Sequence, residues 1–138
     1  MNIKITAAEQ PFDICWDTNG LVHVFAENQA DAFRGMGYAA GYERLWQIHL
    51  STLFATGTAA SVMGPRYIAQ DLMHQAFNVP AYDMPDSPGD WVVDAYLEGL
   101  NSYVRGLQEI PAEFIRAGTV PREFTRHDVA SRHRFTGW

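Results

Sequence analysis

The chain has 138 residues, of which 47% are hydrophobic, 13% aromatic and 19% charged, with a net charge of -6. That length suits one domain spanning 1–138, the composition excludes a disordered tail, and the acidic balance excludes the basic face that a nucleic-acid binder presents. No apolar run approaches the ~18 residues a membrane span needs, so neither nucleic acid nor membrane is expected as a partner.

The opening Met1-Asn2-Ile3-Lys4-Ile5-Thr6 has one Lys and no long apolar stretch behind it, which is not the pattern of a signal peptide. A cytoplasmic location is expected on that ground, or a periplasmic one after removal of a leader. Residues 12–26 predict a β-hairpin: Phe12 to Trp16, a turn at Asp17-Thr18-Asn19-Gly20, then the β-formers Leu21 to Ala26. The lone Cys15 has no cysteine to pair with and suits a small core position.

A long helix is predicted to start at Asn28, an N-cap, with Asp31 near its positive end. Apolar residues from Phe33 to Leu53 cover most of its circumference, which predicts a buried helix. Gly35, Gly37 and Gly41 each cost the helix about 1 kcal/mol against Ala, so they predict close approach of another backbone. Gly57 is expected to end the element. Gly64-Pro65 is a turn, and Tyr67 to Phe77 a shorter helix with Ile68, Leu72, Met73 and Phe77 on one side. Residues 78–87, with two prolines, predict a loop.

Ser87-Pro88-Gly89-Asp90 predicts a helix start with Ser87 as cap, and Val93, Tyr96, Leu97, Leu100, Tyr103, Val104 and Leu107 form one apolar stripe behind it. Pro111 to Ala117 predicts a short helix closed by Gly118. Thr125 and Asp128 then open a last helix, whose pattern still runs at Trp138.

Residues that carry chemistry are scarce. There is no His-Glu-x-x-His, no cysteine pair, no nucleophile elbow and no phosphate loop. His23, His49, His74, His127 and His133 are scattered, and each suits a structural role better than a ligand or base. Gly35 and Gly37 lack the third glycine of a dinucleotide fingerprint. Glu43 and Arg44, on an otherwise apolar helix, suit either a substrate clamp or a buried structural ion pair, and the ion pair is favoured because a buried charge needs a partner. The residues alone give an α-rich domain with no visible active site.

One run is more specific. Asp17-Thr18-Asn19-Gly20-Leu21-Val22-His23-Val24-Phe25-Ala26, then Asp31-Ala32-Phe33-Arg34-Gly35-Met36-Gly37-Tyr38, continuing to Arg44-Leu45-Trp46-Gln47, resembles the N-terminal signature of the penicillin acylase family of N-terminal-nucleophile amide hydrolases. Further blocks keep the family order: Ala55-Thr56-Gly57, Gly64-Pro65, Tyr96-Leu97-Glu98-Gly99-Leu100-Asn101, Ile110-Pro111-Ala112-Glu113-Phe114, and Pro121 to Val129. The likeness covers about 13–130. Val22 stands where the family usually has Pro, Phe124 where it has Trp, and 51–58 lacks the usual arginines.

The resemblance implies an α+β fold: an α-rich small α subunit with an N-terminal β-hairpin, forming part of a four-layer αββα heterodimer. It implies one precursor that cuts itself and frees a Ser at the head of a large β chain. The Ser hydroxyl attacks the amide of a small-molecule substrate with an apolar or aromatic acyl group, and its own α-amine acts as base. On that expectation no catalytic residue and no metal or cofactor site lies in this chain, and any structural calcium belongs to the β chain. Phe135, Gly137 and Trp138, at the end of the last helix, are the candidate lining of the acyl pocket, with packing against the larger chain as the alternative role for Phe135 and Trp138. The alternatives are a non-catalytic helical binding module and, more remotely, a metal enzyme built on the scattered histidines.

Overall fold

The computed structural model describes residues 2–5, 12–77 and 86–136, which form two units, Met1–Glu43 with Ser87–Gly106 and Arg44–Asp86 with Leu107–Trp138. The predicted 78–87 loop, save Asp86 and Ser87, and the pocket candidates Gly137 and Trp138 lie outside the described residues.

In the first unit the predicted hairpin is present as β2 (Phe12–Trp16) and β3 (Val22–Phe25), which pair antiparallel with Ile14 opposite Val24. Its turn works as the residue types suggest. The Asp17 carboxylate accepts the N–H groups of Asn19 and Leu21 at 2.8 and 2.9 Å, and Gly20 takes φ +79°. A strand that the sequence did not announce, β1 (Asn2–Ile5), adds antiparallel to β2 and makes a three-stranded sheet in the order β1-β2-β3.

Helix α1 (Gln29–Ala55) starts at the expected cap, where Asn28 Oδ1 accepts the Asp31 N–H at 2.9 Å and Asn28 Nδ2 donates to the Asp31 carboxylate at 2.8 Å. Its N-terminal half packs on the sheet, with Phe12, Ile14 and Ala39 fully covered and Val22, Val24 and Tyr38 against them. Helix α4 (Asp90–Arg105) crosses this half of α1 at backbone distance. A Cβ on Gly37 would sit 1.9 Å from the Tyr96 carbonyl oxygen, and one on Gly99 would sit 1.8 Å from that of Arg34. The predicted close approach is therefore real, and it is reciprocal, one glycine on each helix. Gly41 makes room instead for the Tyr103 ring.

Two expectations need correction here. Helix α1 is not buried all round: Met36 and Tyr42 are about half exposed, because only the glycine side faces α4 and the sheet. Ser87 does not cap α4 directly. The Asp90 carboxylate reaches back to the Ser87 N–H at 3.0 Å, a turn forms over 87–90, and the helix begins at Asp90.

The second unit starts where α1 breaks. Arg44 has φ -137° and ψ 23°, outside the helical region, so α1 is two helical stretches joined at that residue. The C-terminal stretch ends at Ala55, and Gly57 takes φ +64°. Two short pieces follow, α2 (Ala60–Met63) and a 3₁₀ turn at Pro65–Tyr67, where the sequence predicted only a turn. Then come α3 (Ile68–Ala76), α5 (Ala112–Ala117), closed by Gly118 in the left-handed region as predicted, and α6 (Arg126–Thr136). Phe114 is fully buried, with Trp46 edge-on at 5.0 Å and His49 tilted against it at 5.0 Å. Among the described residues no helix is long and apolar enough to cross a membrane.

Candidate functional site

The sequence directs attention to the last helix, and its construction explains how Phe135 is placed. The start of α6 is a reciprocal cap. Thr125 Oγ1 accepts the Asp128 N–H at 3.3 Å, while the Asp128 carboxylate accepts the Thr125 N–H at 2.8 Å. Arg122 locks the same carboxylate with two 2.8 Å bonds, one to each oxygen. Burial alone would raise the Asp128 pKa, but the Arg122 guanidinium and the Thr125 N–H outweigh it and hold the carboxyl below its usual range. The carboxylate is thus ionised, saturated and structural.

Two and a half turns along, Phe135 is half-buried and presents its ring edge-on to His74 at 5.1 Å. His74 is itself fixed by a 2.6 Å hydrogen bond between Nδ1 and the Phe54 carbonyl oxygen. The far end of α6 is therefore held by an aromatic contact to a buried, anchored imidazole. The geometry places a phenyl ring at a defined position with part of its surface open.

The other titratable groups have duties that leave little for chemistry. His49 is buried between the Trp46 ring, stacked at 5.9 Å, and Phe114; its Nε2 lacks a hydrogen-bond partner. Burial and the nearby Arg122 cation push its pKa down, against a weaker pull from Asp128, so the imidazole is neutral in the fold. Ser131 Oγ is also buried without a partner, so no base activates it. Cys15 lies opposite His23 in the strand register, but His23 turns its Nε2 to Asp17 at 3.4 Å, and no hydrogen bond joins the thiol to the imidazole. Among the described residues, no three His, Cys, Asp or Glu side chains gather as metal ligands would.

Glu43 and Arg44 do not form the buried pair expected of them. Both are exposed in this chain, and Glu43 instead accepts a hydrogen bond from the Trp16 indole Nε1. Among the described residues the charged groups the fold does bury are Asp31, Asp71 and Asp128. Asp31 accepts from Arg34 at 2.7 Å and Asp71 accepts from the N–H groups of Ala59 and Ala60 at 3.0 and 2.7 Å. The Asn28 and Thr125 caps signal the first and third of these in sequence; the Asp71 contact spans 11 and 12 residues and has no local signal.

Known proteins give the fold a family. A sequence profile of the family described as Penicillin amidase matches residues 11–138. Penicillin acylase 2 proenzyme from Pseudomonas sp. (strain SE83) is 23% identical over 139 residues, covering 96% of this chain and 18% of that protein. Penicillin G acylase of Escherichia coli is 25% identical over 124 residues, covering 83% of this chain and 15% of the relative. The chain thus spans less than a fifth of the length of these curated relatives. A solved structure of the thermostable penicillin G acylase from Alcaligenes faecalis has the same fold, with a TM-score of 0.71 at 23% identity, over 99% of this chain and 76% of that one. On a family match that runs through nearly its whole length, the chain belongs to the penicillin amidase family.

Proposed function

We propose that these residues are the small subunit of a two-chain amide hydrolase whose larger chain, cut from the same precursor, carries the reacting groups. The observation that carries the reading is one of proportion. The chain spans 18% and 15% of the curated relatives but 76% of a solved penicillin G acylase chain, and one of those relatives is named a proenzyme. A solved chain this short beside relatives that long fits a precursor divided into a small and a large piece.

On this reading the larger chain begins with a Ser whose free α-amine, titrating near ~8, accepts the hydroxyl proton at neutral pH. Attack on the amide carbonyl gives an oxyanion held by preorganised donors, then an acyl-enzyme, then hydrolysis. The saturated Asp128, the neutral and enclosed His49 and the anchored His74 leave this chain a positioning part. Phe135, with Gly137 and Trp138 after it, lines the acyl pocket, and an apolar or aromatic acyl group is the complement of a half-open phenyl ring. The calcium implied by the resemblance is assigned to the larger chain; among the described residues here no three His, Cys, Asp or Glu side chains gather as metal ligands would. The four-layer αββα arrangement belongs to the same proposal.

The test is intact-mass analysis of the full-length protein after purification, with assay on anilides of aromatic and straight-chain acids. A larger second chain starting with Ser, Thr or Cys is expected to co-purify. Phe135→Ala is expected to shift the ratio of kcat/KM between two acyl groups by about ten-fold or more, the scale of one apolar pocket contact. Hydrolysis by residues 1–138 alone would overturn the proposal, and a single chain of that length inert towards amides would leave a binding module.

A further inference from the structure

Helix α3 is built inside out. A surface helix ordinarily turns its apolar stripe inward, but α3 buries Asp71 and His74 and leaves Ile68 50%, Leu72 60% and Met73 49% exposed. The inward face is held by polar anchors on main-chain ends of its own unit. Asp71 caps the N–H groups of Ala59 and Ala60 at the start of α2, His74 holds the Phe54 carbonyl, and Gln75 Nε2 donates to the Gly57 carbonyl at 2.7 Å. Four hydrogen bonds thus fix the helix without using its apolar residues.

Those residues share one side. At 100° per residue, Ile68, Ala69, Leu72 and Met73 fall within about 140° of arc, opposite the edge that carries Asp71 and His74. No charged residue stands among these four, so the band is dry in character and suits an apolar surface, not an acidic or basic peptide. Leaving three large apolar side chains in water while two ionisable groups are buried is a cost that only a covering surface removes.

We propose that this outward face of α3 is a seat for the larger chain, which lays an apolar surface over Ile68, Leu72 and Met73. The occupant is argued from proportion: more than four-fifths of each curated relative lies outside the part matched here. This inference rests on the two-chain reading, and the test separates the two. In the full-length protein, Leu72→p-benzoylphenylalanine places a photoreactive group on the band, and adducts are located by peptide mapping. Irradiation is expected to join position 72 to peptides of the larger chain. Leu72→Asp is expected to lower the yield of co-purifying larger chain by about ten-fold or more, and Leu72→Met to leave it unchanged. Adducts confined to the small chain, adducts to a second copy of this chain, or no adduct beside a larger chain seen on the gel would each overturn the proposal. An uncut single polypeptide would defeat the two-chain reading and with it the larger chain as occupant, whereas a cut enzyme whose adducts miss the larger chain would defeat the docking face alone.

Discussion

The two units solve the same packing problem with different materials. The first unit brings α1 and α4 together by omission: Gly37 and Gly99 each leave out a side chain so that a carbonyl of the other helix can occupy the space. Its sheet is covered by Phe12, Ile14 and Ala39 in the ordinary apolar manner. The second unit closes its joints with polar side chains that bind main-chain groups or an arginine. Asp71, His74, Asp128 and Gln75 bind main-chain ends or an arginine, and Thr52 returns its hydroxyl to the Ile48 carbonyl at 2.8 Å. The α1–α4 crossing is set by shape, with Arg34 reaching Glu98 at 2.7 Å across it, and the α3 joint by hydrogen bonds to main-chain groups. The first should fail when volume is added, the second when an acceptor is removed.

The largest effect is therefore expected at the glycines. Gly99→Ala puts a methyl 1.8 Å from the Arg34 carbonyl oxygen, and Gly37→Ala puts one 1.9 Å from that of Tyr96. Both obstacles are main chain, so the helices themselves must part. Overpacking commonly costs ~1–3 kcal/mol, and these contacts sit at or above the top of that range, well beyond the ~1 kcal/mol that Ala returns in helix propensity. Gly35→Ala is milder, since its nearest neighbour is the Val24 methyl at 2.5 Å, a side-chain atom that can shift. Native-state hydrogen exchange on the full-length protein reads the effect, with peptides over 29–43 and 90–105 losing protection and those over 60–76 unchanged. Unaltered protection in Gly99→Ala would show that the two helices do not meet backbone to backbone at this crossing.

A smaller loss follows from taking an acceptor out of the second unit. Asp71→Ala strands the Ala59 and Ala60 N–H groups, the first of them on a fully buried residue. An unmet buried donor costs about 1–3 kcal/mol, so roughly 2 kcal/mol is expected, read as faster exchange over residues 58–63. Asp71→Asn keeps one acceptor oxygen and should recover part of the loss. If Asp71→Ala left exchange at 58–63 untouched, the contrast between the units would collapse.

The same contrast explains what the sequence disclosed. The hairpin, the Asn28 and Thr125 caps, the α4 stripe and the demand of Gly37 for a close neighbour all depend on residues within a few positions, or on one residue type with one structural use. Strand β1 escaped because its four residues form a strand only by pairing with β2. The inversion of α3 escaped because periodicity finds an apolar side without saying which way it faces. That answer lies in Phe54 and Gly57, 20 and 18 residues away from His74 and Gln75. Glu43 and Arg44 misled for a related reason: burial was inferred from apolar neighbours in sequence, and the break at Arg44 left both charges outside. Of the pocket candidates, Phe135 is anchored as a positioned ring, but the family pattern named it, not any chemistry visible in this chain.

The finest test of the second unit is its response to acid, where two buried groups act over different ranges. His49 has its pKa pushed below the usual 6.5, first by burial and then by the Arg122 cation, and the Asp128 oxygens are already taken by Arg122 and Thr125. A depressed imidazole means the unfolded chain binds the proton first. The stability it contributes is whole above about pH 6.5 and drains away as pH falls below that value. Asp128, held below its usual 3.8, keeps its contribution until the pH drops under about 4. Between pH 6.5 and 4, the difference between wild type and His49→Gln therefore isolates one proton, worth at most about 1.4 kcal/mol per pH unit. Hydrogen exchange over 107–136, corrected for the intrinsic pH dependence, should show the wild type losing protection from pH 7 to 5 and His49→Gln holding level. Parallel losses in both proteins would mean that the Trp46–Phe114 box tolerates a charged imidazole, and that water reaches the Nε2 that stands there without a partner.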